Sequence, residues 1–370
     1  MRIAVLGAGI IGLWTAYELT NRGYEVVVYT DSPVTATTSS SAVAVVTPLF
    51  PWSLEEDPAL FNESLGWYRS TLSEFQKLNE HGAFMSVIPS YEFGYVDQDG
   101  VPVLEKGFPA SRLEQLNFTK VEILQIGTSV RVENETDEFD DVTFAVNFAA
   151  DMVDTQVFLP FFEHLLRDRG VTFEAKHFDS VSDIERLPEE VMVNCLGIFS
   201  RFLFPEIGPE MYPIRGQSHF IRQDNEPPYF GVASGHHAVF RHRRGYYLGS
   251  YFLQDDSYTW RDETRERVES LQTLPTSVEW RLTKKFATEN YPVLARHMGF
   301  NADPVPLESV WRVNTGIRPF RVKGPVSGIR HVGKKTILDN FGHGAHGWTI
   351  GYGSTVRALH EIERVKSDGQ

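Results

Sequence analysis

The clearest chemistry in the chain lies within its first thirty residues. Gly7-Ala8-Gly9-Ile10-Ile11-Gly12 follows a short apolar run, and Asp31 lies just past a second such run, Val26-Val27-Val28-Tyr29. Gly7 permits a tight turn, Gly9 lets a pyrophosphate approach the backbone, and Gly12 lets helix and strand pack closely. Amides at a helix start, together with the positive end of its dipole, hold phosphate charge. A carboxylate after the second strand can accept hydrogen bonds from a ribose. This spacing predicts a dinucleotide site. The bland alternative is a strand–helix turn that binds nothing, and the acid at the right distance argues against it.

These residues need strands and helices to hold them. Arg2-Ile3-Ala4-Val5-Leu6 reads as a buried strand, the stretch from Leu13 to Asn21 as a helix closed at Gly23, and Val26 to Tyr29 as a second strand. The hydroxyl run Thr35-Ala36-Thr37-Thr38-Ser39-Ser40-Ser41 comes next. Out of context it is a flexible linker. Placed directly after the second strand, its hydroxyls and amides can cap a phosphate or line a cofactor, with Ala42 to Val46 passing underneath as an apolar segment.

Helical spacing predicts a helix over 54–80, and alternating apolar runs with turn signals predict strands and loops over 85–142. Asp154 opens a further helix that stops at Gly170. Val171-Thr172-Phe173 and Val191 to Gly197 read as strands returning to the first sheet, with Phe178 at the turn between them. Residues 212–284 look β-rich, with strands at 231–240 and 245–252. Arg241-His242-Arg243-Arg244 between those two strands reads most simply as a solvated hairpin tip, with a gate that attracts anions as the alternative. A second glycine-rich turn, Gly342-His343-Gly344-Ala345-His346-Gly347, precedes a last helix expected over 349–365.

Composition sets the outer bounds. A chain of 370 residues is long enough for two domains sharing a substantial core. The net charge of −14 argues against a general nucleic-acid binder. A single cysteine, Cys195, excludes an intrachain disulfide and a cysteine-rich metal site, which fits a reducing compartment. No apolar stretch approaches the roughly 20 residues needed to span a bilayer, so the expected place is the cytoplasm.

Five features in order resemble the D-amino-acid oxidase and D-aspartate oxidase family of FAD-dependent enzymes. They are Gly7 to Gly12, Thr37-Thr38 leading to Pro48, Val193-Asn194-Cys195-Leu196-Gly197, Arg215-Gly216-Gln217, and Gly316-Ile317-Arg318-Pro319 with Asn340-Phe341-Gly342-His343-Gly344. The resemblance implies an α/β architecture: a Rossmann-type FAD-binding domain with a second, mixed-sheet α+β substrate domain. The discontinuous FAD domain would take 1–50, 142–205 and 306–370, and the substrate domain 51–141 and 206–305.

The resemblance further implies an extended, non-covalent FAD. It would meet Gly7, Gly9, Ile10, Ile11, Gly12, Asp31, Thr37, Thr38, Val45, Val46, Thr47, Phe178, Cys195, Gly197, Arg318, Gly344, Ala345, His346, Gly347, Trp348 and Thr349, with adenosine near the first glycine turn and the flavin ring near the C-terminal one. Arg318 would grip the substrate carboxylate with its planar fork, with Ala345, His346 and either His236 or His237 beside the substrate. No side chain is expected to act as general acid or base, because hydride would pass from Cα to the flavin.

Three features depart from the family pattern. The stretch Ala233 to Phe240 lacks the family's tyrosines, Thr47 replaces a longer polar residue, and Trp348 is bulkier than usual. The expected activity is oxidation of a D-amino acid to an imino acid and hydrogen peroxide, with glycine, sarcosine or proline-type amines as the alternative substrates. A flavoprotein that binds FAD without turnover is the other alternative, against which Arg318 argues. The expected partners are a small amino-acid substrate and oxygen, with a homodimer left open and neither nucleic acid nor membrane involved.

Overall fold

Ile3, Ala4, Val5 and Leu6 are all fully buried, as a parallel strand covered on both faces requires. They form β1 (Arg2–Leu6), which leads through the glycine turn into α1 (Ile10–Asn21) and on to β2 (Glu25–Thr30). The computed structural model describes residues 1–48, 50, 57–80, 83–96, 99–104, 122–133, 139–222, 230–234, 237–242, 245–249, 253–254, 278–297, 299, 305, 307 and 310–368. Among these residues the chain continues through β3 (Val45–Val46), α2 (Pro58–Leu78), β4 (Met85–Val96), β5 (Pro102–Val103), β6 (Glu122–Glu133) and β7 (Phe139–Val153). Next come α3 (Thr155–Asp168), β8 (Thr172–Ala175), β9 (Val191–Asn194) and β10 (Tyr212–Arg222). The strands β11 (Phe230–Ser234), β12 (His237–His242), β13 (Gly245–Gly249) and β14 (Leu253–Gln254) follow. The last strands are β15 (Val310–Phe320), β16 (Val326–Val332) and β17 (Lys335–Phe341), and Gly347–Asp368 forms the C-terminal helix.

Two sheets organise these elements. The six-stranded sheet runs β16-β17-β9-β1-β2-β8, parallel except for the β16–β17 pair. From β1 the chain first builds outward through β2 and β8, then returns to the other side of β1 with β9. The order of connection therefore reverses between β1 and β9, and a crevice at such a point is where open α/β sheets bind ligands. The larger sheet runs β14-β10-β13-β12-β11-β4-β7-β3, with β15 paired to β10, β5 to β4 and β6 to β7. It takes up β3, residues 142–153 of β7 and β15, segments that the expected division assigned to the first domain.

One face of the smaller sheet is packed with aromatic rings. Trp14 lies edge-on to Phe75 at 5.2 Å and to Phe162 at 4.6 Å, and Trp348 joins the same cluster through Phe158. The C-terminal helix meets α2 almost backbone to backbone at Gly353.

Several elements differ from the sequence expectation. Helix α2 starts at Pro58 because Asp57 caps it, its carboxylate accepting from the Leu60 amide at 2.9 Å. Residues 278–297 are helical where strands were expected as far as 284. The basic hairpin tip is corrected at its first residue. Arg241 is 2% exposed, its guanidinium stacked 4.6 Å from the Tyr246 ring, so the aromatic face takes the cation in. Arg243 and Arg244 lie outside the described residues.

A Cβ placed on Gly353 would lie 2.3 Å from Trp67 Cα and 2.5 Å from its carbonyl oxygen. Backbone cannot swing aside as a side chain can, so Gly353→Ala should destabilise the protein by about 1–3 kcal/mol or more. Urea denaturation of the two proteins measures the difference, and an unchanged midpoint would contradict this packing.

Candidate active site

The first glycine turn sits at the reversal between β1 and β9. Gly7 has φ of 102°, and a Cβ there would lie 2.6 Å from the Cys195 carbonyl oxygen at the end of β9. A Cβ on Gly12 would lie 1.9 Å from the Gly7 carbonyl oxygen. Both positions need glycine to close the turn. Gly9, the residue before α1, has no side chain to cap the helix. Ser39 does so from a distance, its Oγ accepting from the Ile10 amide at 2.9 Å.

The hydroxyl run divides into two functions. Thr37, Ser40 and Ser41 donate to the carbonyls of Val34, Thr37 and Thr315, at 2.9, 2.8 and 3.2 Å. The Ser40 carbonyl in turn receives Gln156 Nε2 at 2.9 Å, and the Ser41 carbonyl receives Ser218 Oγ at 3.2 Å. These residues fasten the run between α3 and the larger sheet. The hydroxyls of Thr38 and Ser39 donate to no described residue, which leaves two donors beside the helix start. Ser39 was missed in the sequence, where it looked like any other member of the run.

Other residues of the first turn are spread along the strand ends. Asp31 is half-exposed just past β2, 3.0 Å from His177 Nδ1. Phe178 is buried with its ring edge-on to Tyr29 at 6.3 Å. The Cys195 thiol is buried 3.4 Å from Thr15 Oγ1, and burial pushes its pKa up to about 12. Val45 and Val46 pair with Met152 and Asp151 of β7, which leads on to Thr47. Ala44, just before them, has φ of 56°, an uncommon left-handed conformation for a residue with a Cβ.

The second glycine turn is tied to β15. Gly342 and Gly344 have φ of 87° and 56°, and the Gly344 amide donates to the Pro319 carbonyl at 2.9 Å. Ala345 is exposed at the tip of the turn. The His346 ring stands edge-on to Phe50 at 5.8 Å. His343 points inward, Nε2 against Ser354 Oγ at 2.8 Å, and burial lowers its pKa to about 3, helped by His346. Trp348 is in the aromatic core, its indole N–H donating to the Ser39 carbonyl at 3.1 Å. Thr349 is buried behind it. Gly347 faces Ile10 of α1, where a Cβ would come within 3.4 Å of its Cγ2. One serine thus joins the starts of both helices.

Arg318 lies one residue before that anchor. Its strand position is opposite Ile214 of β10, and its guanidinium is laid flat across Gly216. A Cβ at 216 would lie 2.3 Å from both terminal nitrogens, so the glycine makes the space that the fork occupies. Burial lowers the Arg318 pKa to about 10, which leaves it charged at neutral pH. Gly316, next on the same face, packs on Thr38 and Ser41 of the hydroxyl run. Gly197, with φ of 60°, lies against Pro319. The strand carrying Arg318 therefore touches the second glycine turn, the hydroxyl run that caps α1 and the loop at Gly197. His236 lies outside the described residues, and His237 opens β12 opposite Ser234.

The arrangement fits a flavin dinucleotide. Two helix starts lie side by side, Gly347 against Ile10, each with partial positive charge, and glycine leaves room for close approach at each. Hydroxyls of Thr38 and Ser39 stand at the first helix start, and the Arg318 fork lies over Gly216, one residue before the Pro319 carbonyl that holds the second turn. The residues to hold it would be Gly7 to Gly12 with Thr38 and Ser39 at one end, and Gly344 to Thr349 at the other.

Comparison with known proteins agrees with this geometry. The model of the family described as DAO, FAD dependent oxidoreductase, matches residues 2–355. D-aspartate oxidase 2 of Caenorhabditis briggsae is 20% identical over 374 residues, spanning 98% of each chain. D-aspartate oxidase of Homo sapiens is 23% identical over 379 residues, spanning 98% of this chain and 94% of its own. Among solved structures, glycine oxidase from Bacillus cereus has a TM-score of 0.64 at 15% identity, over 98% of this chain and 96% of its own. L-proline dehydrogenase from P. horikoshii has a TM-score of 0.60 at 12% identity, over 98% and 93%. At these identities the solved structures share the fold.

Two measurements probe the first turn. Ser39→Ala removes the remote cap and one free donor; it should cost about 1 kcal/mol of stability and weaken cofactor binding, read by chemical denaturation and by titration of the apoprotein. A thiol with its pKa near 12 is almost wholly protonated at pH 8. Cys195 should therefore resist a disulfide-exchange reagent in the native protein and react on unfolding. Rapid native labelling would show that the turn opens.

Proposed function

The chain belongs to the family of FAD-dependent oxidoreductases matched over residues 2–355, and from that premise we propose that it oxidises the Cα–N bond of a D-amino acid or a close analogue. Membership makes it an FAD-dependent enzyme of amine or amino-acid oxidation. The D-configuration and oxygen as electron acceptor belong to the proposal, supported by the two D-aspartate oxidases that align along its whole length.

The observation that carries the reading is the Arg318 fork lying on Gly216, one residue from the carbonyl that anchors the second glycine turn. A guanidinium holds a carboxylate through two parallel hydrogen bonds, and a carboxylate brought there offsets the cost of burying the cation. Since Cα is bonded to the carboxylate carbon, gripping one positions the other. Bound FAD supplies the two-electron acceptor for the hydride leaving Cα, while the amino group gives up a proton and the product is the imino acid. His343 stays neutral above its pKa of about 3 and is held by Ser354, so it orders the turn rather than carrying charge. Phe50 and His346 close the same end against each other.

Attachment of FAD is non-covalent in this reading, because Cys195 stands at the first turn rather than the second. No helix of the described residues is long and apolar enough to cross a membrane; we place the enzyme in the cytoplasm because its single cysteine suits reducing conditions.

Anaerobic mixing with D- and L-amino acids, glycine, N-methylglycine and proline decides the substrate. Bleaching of the visible flavin band by D-forms is the expected result, and bleaching by glycine or secondary amines alone would overturn the D-amino-acid assignment. Arg318→Lys keeps a charge but loses the fork. It should retain FAD while kcat/KM falls by about 100-fold or more; unchanged kinetics would remove Arg318 from the site.

A further inference from the structure

Below the two glycine turns a buried amide joins the same two helices again. Asn340, at the end of β17, is 1% exposed. Its Nδ2 lies 3.1 Å from Thr15 Oγ1 of α1 and 3.0 Å from Thr355 Oγ1 of the C-terminal helix. Both threonines are fully buried.

The proton count fixes the direction of these bonds. Thr15 spends its single hydroxyl proton on the Ile11 carbonyl at 2.8 Å, so toward Asn340 it can only accept. The amide group therefore turns its NH2 toward the helices and gives one proton to each. Aspartate has no such protons, and leucine of similar volume has no polar contact to offer.

We propose that Asn340 is a positioning residue, locking α1 and the C-terminal helix at one relative height so that their first turns meet a single FAD together. The helices already touch closely at their starts. A Cβ on Gly351 would lie 2.9 Å from Ile11 Cδ1, and Ser39 links Ile10 to Trp348. Contacts at the helix starts alone leave the helices free to pivot about that end. Further along, Tyr352 packs on Trp14 at 5.1 Å and donates to Glu18 of α1 at 3.2 Å, and the Asn340 bridge at Thr15 and Thr355 adds a buried polar link that fixes the pair from the strand below. The cofactor then finds both of its anchoring points at the correct separation and need not order them on binding.

This inference rests on the cofactor and is independent of the substrate reading. Its signature is a difference between two ligands. FAD would touch both helix starts, whereas ADP reproduces only the half that the first glycine turn would hold. The apoproteins of wild type, Asn340→Leu, Thr355→Val and Thr355→Ser are titrated with FAD and with ADP, followed by quenching of protein fluorescence. The expected result is FAD binding at least about tenfold weaker in Asn340→Leu and Thr355→Val, ADP binding changed less than about twofold, and Thr355→Ser close to wild type because its hydroxyl remains. Equal losses for FAD and ADP would show a general weakening of the fold and overturn the proposal, as would unchanged FAD binding. If Asn340→Leu fails to fold, Thr355→Val carries the same comparison with one link removed and no cavity made.

Discussion

Two helix starts aimed at one crevice repel each other, because each carries roughly half a positive charge on unpaired amides. The rest of the fold is arranged around holding them there. Glycine at 347 and 351 lets α1 and the C-terminal helix approach, and Ser39 satisfies an amide of one and an indole N–H of the other through its hydroxyl and carbonyl. An anionic dinucleotide relieves the remaining repulsion, so cofactor and fold favour each other. Ion pairs at the surface add little to this arrangement. What matters is buried.

The buried polar groups behind the crevice form two connected sets. Asn194 donates to Asp339 at 3.0 Å while its carbonyl oxygen receives the Leu196 amide and Ser200, and Arg330 pairs with Asp339 from the other side. Asn340, the next residue, holds the helices. Adjacent residues at the end of β17 thus serve different elements because a strand sends successive side chains to opposite faces. One set fixes the loop that leads to Gly197, and the other fixes the helices. Partly satisfied buried networks are costly and fully satisfied ones specify a single arrangement, which is what a site divided between distant segments requires.

The parts readable in the sequence were those whose cause is local. Gly7 to Gly12 stand out because a tight turn demands glycine at fixed offsets, and Arg318 because a proline and a glycine turn follow it. Asp154 was legible as a helix start for the same reason. Ser39 was not, since its role depends on α1 arriving beside it from elsewhere in the chain. Asn340 looked like part of a motif rather than a clamp, because both of its partners are far away in sequence. Arg241 misled in the opposite sense: four basic residues suggest solvent, and the ring that shelters the first of them comes from the opposite strand. The helix at 278–297 is adjacent to residues with little apolar periodicity, and nothing in the local pattern separated it from the strands before it.

Strand β15 makes the two halves of the molecule one machine. Along most of its length it pairs with β10 in the larger sheet, yet at its end Phe320 bridges to His343 and Pro319 receives the Gly344 amide. Arg318 therefore shares a continuous backbone with the anchor of the second glycine turn. In the proposed reading, a badly fitting carboxylate that displaced the guanidinium would strain that anchor, and a shift of the turn would move the guanidinium. Backbone hydrogen bonds transmit such a shift with little slack, so in that reading the substrate grip and the cofactor ring would be adjusted together rather than separately. Gly216 sets the limit of this arrangement: any side chain there would displace the Arg318 fork, and in the proposed reading the substrate grip would be lost while both glycine turns remained in place.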